Sequence, residues 1–575
     1  VVLRTLFVST ILIAWTWSPQ NAFAGTVNGD LGRRLDTYLA RIVPFGFSGA
    51  VLVAQNREVV LDKGYGSAIR SSGTPNSAGT VFSTGSLTKQ FTAAGILVLE
   101  MMGKLHTGDR ISNFFDAVPD DKRDITIHHL LTHTAGLPEQ SGPDYEEALR
   151  DPTVRRILQM PLDFPPGTDF SYSNCGYTLL AAIVEIASGE PYERFLHEHL
   201  FQPAGMTLTG YRIPDWDGEV VAHWYVGDTD NGRPLDKPYP YWNLLGNGGI
   251  LSTTGDMYRW YLALQGDAVL SKAAKKKLWT PFRNEYAYGW DVIELDDGGT
   301  LIRHDGGSML GNSAVMSWFV EEDLLIVTFC NQSFGRNPLF EVIEQNVQRI
   351  IRGHSLGVPA VADWPASSAE LAACEGTYEL PGGGRVKASV YNGALQLRAM
   401  EQRAIDALFF PGSEAANGFG ALNERTRALI EGALHDDVTP FEKEIPDPKR
   451  AAGFERIISR EIHRMQNSMG SVVSGVVVIG TVPSSFEGVV ATGVQFETAK
   501  GTAGRLSVHW RDGRLVGLDQ QTFEPVVPFV PAGDGTLAGY HLVWRKGFHV
   551  RPVRAGDGGT GALELGRGVV ATRID

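Results

Sequence analysis

Cysteine is scarce in this chain: Cys175, Cys330 and Cys374 are the only three in 575 residues. An odd count this low excludes a disulfide framework, although two of the three could pair in an exported protein. There is no Cys-x-x-Cys and no His-Glu-x-x-His. His197-Glu198-His199 has the wrong spacing for a helical metal pair, and Asp228-Thr229-Asp230-Asn231-Gly232 is an incomplete calcium loop. We therefore expect no required metal and no other cofactor. Positive charge is also short. Against 65 Asp and Glu stand 51 Lys and Arg, a net charge of −14, which excludes the basic footprint of a nucleic-acid binder. No Lys- or Arg-rich run offers a patch for an anionic membrane. Missing too is an apolar run long enough for a comfortable transmembrane helix. The nearest, Leu6 to Trp17, follows Arg4 and precedes Ala22-Phe23-Ala24, which reads as a secretory signal over residues 1–24. The expected location is periplasmic or secreted, with no stable membrane insertion once the signal is cleaved.

What remains is the composition of a large globular protein, 43% apolar and 20% charged, too long for one ordinary core. Phe47 to Asp62 reads as two strands joined near Asn56-Arg57. Helical periodicity follows at 86–103, 145–160, 176–188, 191–201, 255–266 and 336–352, with strands at 288–294, 300–304, 313–320 and 324–331. Strands first, helices in the middle and strands last predict an α+β domain over 25–355, in which both ends of the segment close one antiparallel sheet flanked by helices. Residues 356–366 read as a linker, since Gly357, Pro359 and Pro365 break the pattern. Beyond it, 367–575 is an accessory region of one or two mostly β domains. Short strands are expected over 371–412, a helical, charged stretch at 417–468, and β structure from 471 onward. This region either caps a cleft, binds something outside, or only stabilises the chain.

Ser86-Leu87-Thr88-Lys89 is the one Ser-x-x-Lys in the chain, and it lies where a glycine-bearing turn enters a helical pattern. On a helix, residues i and i+3 share a face, so Lys89 could take the proton of Ser86 and make it a nucleophile. The alternative is a capping serine beside a solvated lysine. Tyr172-Ser173-Asn174 offers a proton relay, provided the tyrosine stays partly ionised beside a lysine ammonium, and an amide that either meets a substrate carbonyl or holds Lys89. A packed tyrosine with a capping asparagine is the plainer reading, and Tyr241-Trp242-Asn243 repeats the triplet. His304-Asp305-Gly306-Gly307 ends a predicted strand with small residues that let a substrate approach the backbone. His304 is a candidate catalytic residue that would orient a substrate or share the proton relay, the alternative being a satisfied loop histidine. Cys175, next to Asn174, reads as a packing residue and not as a thiol nucleophile.

In that order, Ser86/Lys89, Tyr172/Asn174 and His304/Gly306 resemble the serine β-lactamase and penicillin-recognising superfamily, in its class C β-lactamase-like, family S12 peptidase branch. Ile125 to Leu137, Phe201 to Met206 and Gly246 to Thr253 look like members of that branch as well. The resemblance spans about residues 30–355 and implies a β-lactamase/transpeptidase-like fold. It makes Ser86 the acylated nucleophile, Lys89 its base and Tyr172 the acid–base partner, with the N–H groups of Ser86 and Gly307 as the oxyanion hole. True class C β-lactamases carry lysine where this chain has His304. A histidine there looks like the D-aminopeptidases and some esterases of the branch. The expectation is an exported serine hydrolase acting on amides or esters of small peptides, D-residue peptides included. A carboxylesterase and a slowly deacylating penicillin binder are the alternatives.

Overall fold

Ala50, Val51, Leu52, Val53 and Ala54 are five successive apolar positions of one strand, and all five are buried. A strand apolar on both faces needs cover on both. The computed structural model supplies it. It describes residues 25–295, 297–333, 339–361, 368–409, 419–469, 471–484, 488–499, 501–519, 525–542, 545–555 and 559–575. The expected signal and part of the expected linker lie outside these residues.

The central sheet has seven strands: β1 (Thr26–Val27), β2 (Gly49–Gln55), β3 (Glu58–Tyr65), β4 (Asp291–Glu294), β5 (Thr300–Gly307), β6 (Ser313–Phe319) and β7 (Leu324–Cys330). Their order is β1-β3-β2-β7-β6-β5-β4, antiparallel throughout. The two ends of the segment meet where β2 pairs with β7, Val53 opposite Ile326. Alternate side chains then enter different cores. Val51, Val53 and Ile326 pack with α1 (Gly29–Ile42) and α4 (Leu339–Ile351). Ala50, Leu52 and Val327 pack with α2 (Thr88–Met101) and α3 (Asn174–Ser188). This is the α+β arrangement expected from the order of elements. The expected amphipathic helix at 86–103 differs in one respect: every side chain from Thr88 to Leu99 is buried, and Met101 is half exposed. α2 runs through the middle of the all-α part and reaches solvent only at its C-terminal end.

After the linker, eight strands close a barrel: Gly376–Glu379, Arg385–Tyr391, Ala394–Ala399, Val526–Pro531, Leu537–His541, Lys546–Arg554, Thr560–Leu565 and Val569–Arg573. The first strand pairs with the last, Tyr378 opposite Arg573. Between its third and fourth strands the described residues form four helices and a separate four-stranded sheet with its own core around Phe496, Val508 and Trp510. Three of those helices (Phe419–Leu434, Thr439–Glu444 and Pro448–Met469) answer to the helical stretch expected at 417–468. The fourth, Gln402–Phe409, stands where a short strand was expected. Its Ala404, Ile405, Leu408 and Phe409 fall on one helical face and fill the barrel core.

The barrel does not stand apart from the first domain. Ala394, Val530, Tyr540 and Leu542 share one buried cluster with Leu35, Tyr38, Phe45 and Ile343. The Phe45 and Tyr540 rings lie 5.8 Å apart. Asn346 on α4 donates to Tyr38 at 2.7 Å and accepts from Arg545 at 3.2 Å. Arg70 reaches the Tyr391 hydroxyl of the barrel at 3.2 Å while also bonding Gln332 and, at 2.9 Å, the carbonyl of Gly227.

Candidate active site

Ser86 lies in a 3-10 turn, Gly85–Leu87, that runs directly into α2. The turn is pinned from below. Thr84 donates both its N–H and its hydroxyl to the carbonyl of Ile250 at 2.9 Å. One helical turn on, the fully buried Lys89 has three hydrogen-bond partners: Ser86 Oγ at 2.9 Å, Asn174 Oδ1 at 2.7 Å and the carbonyl of Asn247 at 2.7 Å. Burial brings its amine down to about 7, against the opposing pull of Asp144, Glu139 and Asp305. The face of Tyr172 is 4.7 Å from Nζ and that of Tyr177 is 5.6 Å away.

Tyr172 precedes α3. Burial pushes its phenol well above the usual tyrosine range, partly offset by a hydrogen bond with Ser86, so the phenol is protonated and not the part-ionised form expected from the sequence. The cap of α3 is Ser173, whose Oγ accepts from the N–H of Gly176 at 3.1 Å. Asn174 is thereby free of capping duty and turns its amide oxygen to Lys89. The other Tyr-x-Asn has a structural role. Asn243 bonds Ser141, Arg156 and the carbonyl of Pro143, and Tyr241 is buried.

His304 sits on β5, buried. Its Nδ1 lies 2.6 Å from the carbonyl oxygen of Asp305, which can only accept, so Nδ1 carries the proton and Nε2 accepts from the Tyr286 hydroxyl at 3.0 Å. Burial, with Lys89 second, lowers the imidazole to about 3, which leaves it neutral. The strand then ends against the serine turn. A Cβ on Gly306 would lie 2.3 Å from the Ser86 nitrogen, and one on Gly85, where φ is 54°, would lie 2.5 Å from the Gly307 nitrogen. The two backbones touch because neither position has a side chain. Ser86 is half-buried and Gly307 exposed, so the seam opens to solvent. Another His-x-Gly, His106-Thr107-Gly108, lies in an exposed turn in which His106 Nδ1 accepts from the N–H of Gly108.

All seven residues singled out from the sequence thus fall in one place. Single-residue reasoning missed Tyr286, the carbonyl of Asn247, and the acids Glu139 and Asp144. Asn247 lay in a stretch noted for family likeness, but a backbone acceptor leaves no mark in a sequence. Tyr286 had no signal at all. The three cysteines are buried and free of disulfides, and burial pushes Cys175 and Cys330 up to about 12. Among the described residues one group, Glu190, Glu198 and His199, sets three possible metal-ligand atoms within 4.8 Å of one another. The Arg194 guanidinium already pairs with Glu198 there at 2.7 Å. No described helix is long and apolar enough to cross a membrane.

A buried lysine beside a half-buried serine, in an α+β fold with this sheet order, defines a serine hydrolase. A family model described as Beta-lactamase matches residues 46–345, and the chain belongs to that family. Penicillin-binding protein 4* of Bacillus subtilis (strain 168) is 28% identical over 397 residues, covering 64% of this chain and 87% of the relative. A second protein of that strain, provisionally named penicillin-binding protein PbpX, is 32% identical over 311 residues, covering 52% of this chain and 74% of the relative. The solved structure of an octameric penicillin-binding protein homologue from Pyrococcus abyssi matches with a TM-score of 0.51 at 19% identity, over 95% of this chain and all of that one. That likeness extends to the fold of the accessory region.

Proposed function

We propose that the chain hydrolyses amides or esters of small peptides through an acyl-serine at Ser86, and that its substrates carry no carboxylate next to the scissile bond. The observation that carries the reading is the set of three partners around Lys89. Asn174 Oδ1 and the Asn247 carbonyl can only accept, so they engage two N–H groups of a neutral amine. The lone pair then faces Ser86. In acylation Lys89 takes the hydroxyl proton as Ser86 Oγ attacks the carbonyl carbon. The N–H groups of Ser86 and Gly307 hold the oxyanion. The neutral Tyr172 phenol, bonded to Ser86, passes a proton to the departing amine or alcohol. Water then cleaves the ester by the reverse relay and releases the acid, restoring Ser86.

Substrate class follows from charge. The neutral His304 provides no cation for a carboxylate, and Glu139, Asp144 and Asp305 all act on Lys89 from around the site. Arg303 offsets Asp305 at 3.5 Å, so Glu139 and Asp144 carry the bias against anionic groups and toward a free amine or a neutral ester. This supports D- or L-aminoacyl amides and simple esters over peptides that end at the scissile position in a carboxylate. The names of the Bacillus relatives, both penicillin-binding proteins, favour a second reading, a penicillin-acylated protein that deacylates slowly.

The test is intact-mass spectrometry with a fluorophosphonate and a labelled penicillin, beside turnover of p-nitrophenyl esters and of D- and L-aminoacyl p-nitroanilides. One adduct, absent from Ser86→Ala, with turnover lost in that variant, is the expected result. Turnover by Ser86→Ala refutes the reading, and a long-lived penicillin adduct without turnover of any substrate selects the second one.

A further inference from the structure

His133 is a buried histidine with a left-handed backbone, φ 56°, a conformation uncommon outside glycine. Three contacts converge from it on one residue. Its carbonyl accepts the N–H of Ser171 at 3.0 Å, and its Nδ1 accepts the N–H of Ser173, also at 3.0 Å. Between these two lies Tyr172, whose ring centroid is 4.2 Å from that of His133 at a 37° tilt. One residue therefore holds the backbone on both sides of the tyrosine and supports its ring.

Because Nδ1 accepts, the proton of a neutral imidazole must sit on Nε2. That atom is buried and has no hydrogen-bond partner among the described residues, and the neighbouring rings are Tyr286 at 4.6 Å, Tyr177 at 5.1 Å and Phe170 at 6.0 Å. A buried donor without an acceptor costs stability, and so does the left-handed backbone. Simple packing does not call for either, since an apolar ring would fill the space. Burial, then Lys89 and His304, hold the imidazole well below its ordinary range, so it adds no charge beside Lys89.

We infer that His133 is a positioning residue for the hydrolysis: it holds Tyr172 so that its hydroxyl stays on Ser86, and it acts through that tyrosine alone. The inference rests on the role assigned to Tyr172 above.

The experiment is a double-mutant cycle on a p-nitrophenyl ester, with kcat and KM measured separately for wild type, His133→Ala, Tyr172→Phe and the double variant. His133→Ala should lower kcat about 100-fold, the cost typical of a misplaced catalytic group, with KM within about threefold. The double variant should be no slower than Tyr172→Phe within about threefold, because the two residues form one unit. Should His133→Ala lose its fold, His133→Asn takes its place. Asn tolerates the left-handed backbone and its Oδ1 can take the N–H of Ser173, but it lacks the ring. It should recover at least tenfold of the kcat that Ala loses, or, where Ala is unfolded, show the same non-additivity with Tyr172→Phe. Losses that multiply in the double variant overturn the inference, as does a His133→Ala enzyme with wild-type kcat. Ser86→Ala, assayed in parallel, separates the two failures. If Ser86→Ala is dead and the losses multiply, only the His133 inference falls. If Ser86→Ala or Tyr172→Phe turns over like wild type, the underlying reading fails and takes the inference with it.

Discussion

Lys89 and His304 are both buried beside the same serine, yet burial has opposite consequences for their usefulness. The lysine amine is brought to about 7, within reach of neutral pH, whereas the imidazole is taken to about 3, far from it. Only the unprotonated amine can accept the Ser86 proton. As pH rises through about 7 the amine form accumulates, so kcat/KM should climb by close to tenfold per pH unit below that point and level off above it. His304 contributes no limb in this range. Tyr172 contributes none until well above 10, since burial raises its phenol. Acids titrate nearby as well: Asp291 is pushed up to about 7 by burial and by Asp305, and burial raises Asp144 and Asp305 above the usual carboxylate range. A pH profile of Asp291→Asn discriminates between Lys89 and Asp291, the two brought to about 7. An ascending limb that stays at its wild-type position assigns it to Lys89, and a limb that disappears assigns it to the aspartate.

At the scale of elements, the site depends on how closely β5 meets the turn before α2. The Ser-x-x-Lys pattern and the small residues after His304 were legible in the sequence because each is local. Their contact was not, since more than 200 positions lie between Ser86 and Gly306 and only the closed sheet brings them together. For the same reason the strands of the accessory region could be anticipated, but not the barrel, whose third and fourth strands are separated by helices and a separate sheet. The helix Gln402–Phe409 was misread because its apolar residues follow directly on a true strand, and periodicity is ambiguous over so few positions. The β5 contact makes a sharp prediction. In Gly306→Ala the new methyl would sit 2.3 Å from the Ser86 nitrogen, so one backbone must move. Overpacking of this kind costs about 1–3 kcal/mol, which a fold of this size tolerates, whereas a shift of the nucleophile by ~1 Å costs about 100-fold in rate. The variant should keep its circular dichroism spectrum and lose about 100-fold in fluorophosphonate labelling rate at Ser86. Labelling at the wild-type rate would mean that the seam has slack that the glycine contacts do not suggest.

At the scale of the whole molecule, the barrel and the hydrolase domain are tied by a shared core and not only by a linker. Tyr540 is fully buried and stands 5.8 Å from Phe45, and Tyr38, Leu35 and Ile343 belong to the same cluster. Those residues lie on α1, on the turn after it and on α4, the layer that covers the face of the sheet opposite α2 and Ser86. Removing an aromatic side chain from such a core costs about 3–5 kcal/mol. If the two parts unfold as one unit, that cost must appear at the serine even though the substitution is in the barrel. Tyr540→Ala should then lower the temperature at which Ser86 loses fluorophosphonate labelling, by the same amount as it lowers the midpoint read from whole-chain circular dichroism. If the parts are independent, the barrel alone would soften and the labelling midpoint would stay where it is in wild type. The Asn346 bond to Arg545 and the Arg70 bond to Tyr391 cross the same boundary, so we expect the two midpoints to move together.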